Sequence, residues 1–184
     1  MTLKTLMTAT ATAAVLATGA YAENPMVGGA AMYADKNIVE NAVNSADHTT
    51  LVAAVKAAGL VETLSGEGPF TVFAPINDAF AKLPEGTVEA LLKPENKDQL
   101  TKILTCHVVA ADAMSMAIVG MIDDDGGSHV VPTVGGCMLN ATYKGDMIML
   151  EDEQGQTITV TIADVKQSNG VIHVVDTVIL PAAK

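Results

Sequence analysis

Arginine and tryptophan are missing from this 184-residue chain, and phenylalanine and tyrosine occur three times each. Tight protein interfaces lean on buried Trp, Tyr and Arg anchors, so any protein contact is expected to be weak or multivalent. The ten basic residues, all lysine, face 21 acids. Nucleic acid and anionic lipid are bound chiefly through Lys and Arg, and this balance argues against both as partners. Catalytic signatures are also lacking: there is no Gly-x-Ser-x-Gly, no phosphate loop and no Gly-rich dinucleotide turn. A nucleophile, base and orienting group cannot be assembled from the residues present. No catalytic residue, cofactor or metal site is therefore assigned.

The first 22 residues read as an address. Lys4 is their only charge, and a threonine-diluted apolar run from Leu6 to Ala20 ends in Ala20-Tyr21-Ala22. One basic residue, a moderate apolar stretch and a small-x-small site make a cleavable secretory signal. The run is too short for a stable membrane span, and no cysteine follows it to carry a lipid. The expected mature start is Glu23, and the expected location is the periplasm or the exterior. Cleavage removes Lys4 and no acid, leaving nine lysines against 21 acids, a net charge near −12. That charge favours solubility and cationic partners.

Only two cysteines are present, Cys106 and Cys137. In an exported chain an even count reads first as a disulfide, with two buried free thiols as the alternative. Closing that loop stabilises a fold by roughly 3–4 kcal/mol in the chain-entropy model.

Residues 23–36 contain Pro and Gly without periodicity and read as a flexible lead-in. Residues 37–181 then form one domain. Ile38, Val39, Ala42 and Val43 fall on one helical face. Asp47 is placed to cap a helix over 48–58 that buries Leu51, Val52, Val55 and Ala58, with Gly59 as its C-terminal stop. A further turn spans 61–64. Phe70–Ala74 predicts a buried strand, and Asn77-Asp78 is placed to start the next helix. Short and longer helices follow over 87–92 and 96–105. After Cys106 the character changes: 107–110, 130–134, 138–143, 147–150, 157–163 and 171–180 read as strands, with one helix over 113–121. Helices first and strands later make the class α+β.

Two segments stand out together: Phe70-Thr71-Val72-Phe73-Ala74-Pro75-Ile76-Asn77-Asp78-Ala79-Phe80-Ala81-Lys82-Leu83-Pro84, and Gly170-Val171-Ile172-His173-Val174-Val175-Asp176-Thr177-Val178-Ile179-Leu180-Pro181. In that order they closely resemble the two signature blocks of the fasciclin domain family. His107-Val108-Val109 resembles the family's Tyr-His segment. The resemblance implies a β-wedge packed with a cluster of short helices, used for adhesion or association with a surface or matrix, and no enzymatic activity. It implies a protein or cell-surface partner and a monomer or weak oligomer. Cys106 stands where the family usually has the tyrosine of Tyr-His. In animal members that segment is associated with integrin contact, so this chain departs from the pattern there. A Cys106–Cys137 bridge is expected to take over the packing or hydrogen-bonding role of that tyrosine.

The interaction residues are expected near the end of the 96–105 helix and in the segment after it: His107, Asp112, Met114 and Met116. Read from its apolar surroundings, His107, like His173, is a hydrogen-bonded structural histidine. Met114-Ser115-Met116 and Met147-Ile148-Met149 give two Met-x-Met spacings. Soft thioethers suit Cu(I), so a periplasmic methionine-based copper protein is the alternative function. Methionine as core filler is the favoured reading. Asp123-Asp124-Asp125 lacks the alternating ligands of a calcium loop and reads as a solvated turn.

Overall fold

A computed structural model of the chain describes residues 24–182; the leader read from residues 1–22 lies outside them. The segment expected to be a lead-in instead forms a hairpin, β1 (Met26–Val27) and β2 (Ala30–Ala31), paired antiparallel. Val27 and Met32 are buried against the first core cluster. Met26-Val27 and Ala30-Ala31-Met32 on either side of Gly28-Gly29 give no periodic signal, yet burial of Val27 and Met32 removes apolar area from water.

α1 (Ile38–Ala42) starts with a capping box in which Asn37 accepts from the Glu40 N–H and Glu40 accepts from the Asn37 N–H. Val43, expected on the inner face, lies just past the helix and is exposed, whereas Asn41 is buried. A 3₁₀ turn over Ala46–His48 leads into α2 (Thr49–Ala58). Leu51, Ala54, Val55 and Ala58 form its buried stripe, and Gly59 ends it with φ 75°, a left-handed conformation that L side chains resist. α3 (Val61–Ser65) follows.

β3 (Phe70–Pro75) enters the interior, and α4 (Asn77–Ala81) leaves it. Asp47 does not cap α2, and Asn77 does not cap its own helix. Asn77 Oδ1 instead accepts from the Thr50 N–H at 3.0 Å and the Thr49 hydroxyl at 3.1 Å, while its amide donates to the Ala46 carbonyl. It therefore caps α2 from a distant part of the chain. Asn77→Ala should cost about 1–2 kcal/mol, the range for losing a good N-cap. Asp47→Ala should be nearly neutral, and a urea-unfolding comparison of the two checks the reassignment.

α5 (Thr87–Leu91), a 3₁₀ turn at Pro94–Asn96 and α6 (Lys97–Thr105) complete the helical half. Then come β4 (Val108–Val109), α7 (Ser115–Asp124), β5 (His129–Pro132), β6 (Met138–Lys144), β7 (Met147–Glu151), β8 (Thr157–Gln167) and β9 (Gly170–Val175). The run read as a strand to Leu180 leaves the sheet after Val175, though Val178 and Ile179 stay buried. β8 runs past its expected end, with irregular pairing between Val160 and Val165 that includes Asp164 at φ 60°.

The sheet order is β4-β3-β9-β8-β7-β6-β5; β3 and β9 are parallel and the other neighbours antiparallel. The sheet curls until the chain after β5 bonds back to the opposite end. The Val134 N–H donates to the Val108 carbonyl at 2.7 Å, and the Gly135 N–H to Thr105 at 2.9 Å. A Cβ on Gly135 would lie 2.7 Å from the Cys106 nitrogen, so the approach requires glycine. The Cys106–Cys137 disulfide, with Cα atoms 5.3 Å apart, crosses this seam.

β3 and β9 separate two cores because side chains alternate across a strand. Val72, Ala74, Ile172 and Val174 face the helices, whereas Phe73 and Val175 face the interior of the curled sheet, beside Ile118 and Ile122 of α7. Phe73 also stacks on His173, with ring centroids 5.7 Å apart.

Candidate interaction face

When β4 ends at Val109 the chain must cross to α7; residues 110–114 make that crossing, and Ser115 and Met116 open the helix. Their backbone is fastened at three successive points. The Thr71 hydroxyl donates to the Ala111 carbonyl at 2.6 Å and accepts from the Ala113 N–H at 2.8 Å. His173 Nε2 donates to the Ala113 carbonyl at 2.8 Å, while Nδ1 accepts from the Asp164 N–H at 3.3 Å. The Asp164 carboxylate accepts from the Ser115 N–H at 2.7 Å and from the Ser115 hydroxyl.

Each anchor has a local cause. Thr71 is fully buried in β3, where an unpaired hydroxyl would be costly, and the crossing chain supplies both partners. The two His173 bonds need opposite roles of its ring nitrogens, which only the neutral imidazole offers. Burial holds its pKa below the usual value, with the Ala113 carbonyl opposing that shift. Asp164 sits at positive φ, uncommon outside glycine though least so for Asp and Asn. Its carboxylate lies at the first turn of α7, where negative charge complements the helix dipole.

Between the anchors the side chains are free to face outward. Asp112 is exposed, Met114 half-buried, and Met116 is 85% exposed. Asp112 and Met114 also line a groove of about 620 Å³ with Glu67, Pro69, Lys166 and Ser168. The arrangement presents a carboxylate, two thioethers and a mixed-charge groove on a backbone that has little freedom left to lose. Preorganisation of that kind lowers the entropic cost of association.

His107 does not belong to this face. It is 2% exposed, its Nδ1 is 2.8 Å from the Ile103 carbonyl, and its Nε2 accepts from the Ile179 N–H at 2.9 Å. Both ring nitrogens serve backbone groups, and desolvation lowers its pKa to about 4. The end of α6 is likewise turned inward, since Cys106 is buried and lies at the other end of β4 from Asp112. Met114 and Met116 stand at the start of α7, and Met147 and Met149 lie on β7 opposite Lys144 and Thr142. Among the described residues no group of three or more His, Cys, Asp or Glu side chains is placed to hold a metal ion. No described helix is long and apolar enough to cross a membrane. Sequence reasoning missed Thr71 and Asp164. The second left a trace, a charged residue interrupting the β-run between Ala163 and Val165.

Comparison with known proteins supports the same architecture. The fasciclin domain profile matches residues 46–181. Protein sll1483 of Synechocystis is 49% identical over 159 residues, covering 86% of this chain and 81% of that protein. Transforming growth factor-beta-induced protein ig-h3 of Sus scrofa is 36% identical over 133 residues, 72% of this chain but 17% of that longer protein. A FAS1 domain pair from the insect cell adhesion molecule fasciclin I superposes with a TM-score of 0.69 at 17% identity, covering 81% of this chain and 51% of that one. At that identity the structural likeness concerns the fold alone.

Proposed function

The chain belongs to the fasciclin domain family, and from that premise we propose that it is an exported, non-enzymatic interaction module attaching its bearer to a surface, a matrix or another envelope protein. On this reading residues 1–22 deliver it to the periplasm or the exterior, and residues 37–181 carry the binding function as a monomer or weak oligomer. Adhesion or surface association is what the family resemblance implies, and membership of the fasciclin domain family supports that class. The observation that carries the reading on this chain is the triply fastened 110–116 segment, which holds Asp112 and Met116 toward solvent at fixed positions.

The test is a double variant, Asp112→Lys with Met116→Glu, assayed for retention on envelope and matrix preparations and for melting temperature. Binding should fall several-fold. Stability should change by no more than about 0.5 kcal/mol, as for surface positions generally. Full retention by the folded double variant would refute the assignment of this face.

A further inference from the structure

The helical half contains a second concave feature that shares no residue with the groove beside Asp112. An apolar cleft opens between α1, α2 and α3, walled by Ile38, Val39, Val52, Val55, Val61 and Leu64. Val39, Val52 and Val61 are only half-buried, so aliphatic surface continues from the interior to the rim. Lys56 is the one charged residue lining the cleft, in a chain with 21 acids. Among the described residues its ammonium has no ion-pair partner. His107 lies at the floor, and because both its ring nitrogens are bonded to backbone it offers no polar contact to an occupant.

The enclosed part of the cleft measures about 40 Å³, and behind it lies a further space of about 10 Å³. Ala42, Ala74 and Ile172 line both, so the two are separated only by small or shared side chains. Space on that scale takes roughly three to four waters. Water needs two to four polar partners; the walls of the larger space are aliphatic and supply none, whereas Ser45 and His48, whose Nε2 has no hydrogen-bond partner, line only the smaller one. The chemistry that suits such walls is a saturated hydrocarbon end, with its remaining methylenes along the valine rim. A single unpaired cation at the rim suits a carboxylate.

We propose that the cleft between α1, α2 and α3 binds the aliphatic chain of a fatty carboxylate, with its head group at Lys56. The reading is independent of the adhesion face: the residues are different, and either can fail without the other.

The experiment titrates the purified chain with octanoate, hexanoate and 1-octanol, following backbone amide shifts and heat of binding. Octanoate should bind saturably at one equivalent and shift the amides around Val39, Val52 and Val61. Losing two methylenes should weaken hexanoate roughly tenfold, if both leave water on binding. Lys56→Gln should weaken octanoate roughly two- to fivefold, the worth of an exposed ion pair, and leave 1-octanol unchanged. Ala42→Phe, which fills the junction of the two spaces, should abolish binding of both. If that variant fails to fold, shift mapping on the unsubstituted chain decides instead. Non-saturating binding, shifts confined to other surfaces, or equal losses for octanoate and 1-octanol in Lys56→Gln would each overturn the proposal.

Discussion

Phe73→Ala should lower the unfolding free energy by about 3–5 kcal/mol, the cost of truncating a fully buried phenylalanine. Phe73 is 1% exposed, packs with the cluster inside the curled sheet and stacks on His173. Its backbone N–H donates to the His107 carbonyl at 2.9 Å, so β3 is fixed there and cannot easily collapse into the space left behind. The loss is a large part of the 5–15 kcal/mol that holds a typical domain together. A urea transition should move to lower concentration with its slope unchanged. Because Phe73 touches no solvent, binding should weaken only as the folded fraction falls. A variant that unfolds at the same urea concentration as the parent contradicts the placement of this residue. So does one that keeps its stability but loses the proposed binding.

The second large effect is acid destabilisation. His48, His107 and His173 are all buried, and burial is the leading cause that holds each below its ordinary pKa. Between pH 6.5 and the folded-state pKa the unfolded chain binds a proton that the folded chain does not. Stability therefore falls as pH falls through that window. For His107 the window runs from 6.5 to about 4, which corresponds to about 3 kcal/mol at 1.36 kcal/mol per pH unit. His48 and His173 add to it with the same sign. Opposing this, acidification reduces the excess negative charge of the chain and eases its self-repulsion. At 0.15 M salt exposed charges more than about 8 Å apart are largely screened, whereas buried groups are not, so the histidines should win. Urea transitions at pH 7, 6, 5 and 4 in 0.15 M salt should show a progressive loss. His107→Gln should start from lower stability and show a shallower pH dependence. A parent protein as stable at pH 4 as at pH 7 excludes the mechanism.

Much of this architecture was legible from residue order because it rests on local periodicity. The stripe Leu51, Val55, Ala58 and the run Phe70–Ala74 declare a helix and a strand without reference to anything distant. So does Gly59 as a stop, since its conformation follows from the missing Cβ. The hairpin at 26–31 was not legible: Val27 and Met32 are buried beside Ala42, His48, Ala74, Val165 and Ile172, and their own neighbours carry no pattern. The same holds for Asn77, whose position beside Asp78 signals a local cap but whose amide is taken by Ala46 and Thr50. At the candidate face, Asp112, Met114 and Met116 were expected as exposed residues of the segment after the 96–105 helix, and the physical reason for their presentation lies elsewhere in the chain. Thr71, Asp164 and His173 act across separations of 40 to 60 residues, which no window of sequence contains. His107 shows the opposite error. Its apolar neighbours already marked it as structural, and only the resemblance drew it toward the surface.

The closing of the seam between Val108 and Val134 has a consequence for life in a crowded space. An open sheet ends in rows of unpaired N–H and C=O groups, which invite a strand from another molecule and begin aggregation. Here the two terminal strands are four and two residues long, and the chain following one is bonded to the other. Little free edge is left to template growth. Many copies can then stand close together, repelled by their shared negative charge, without merging their backbones.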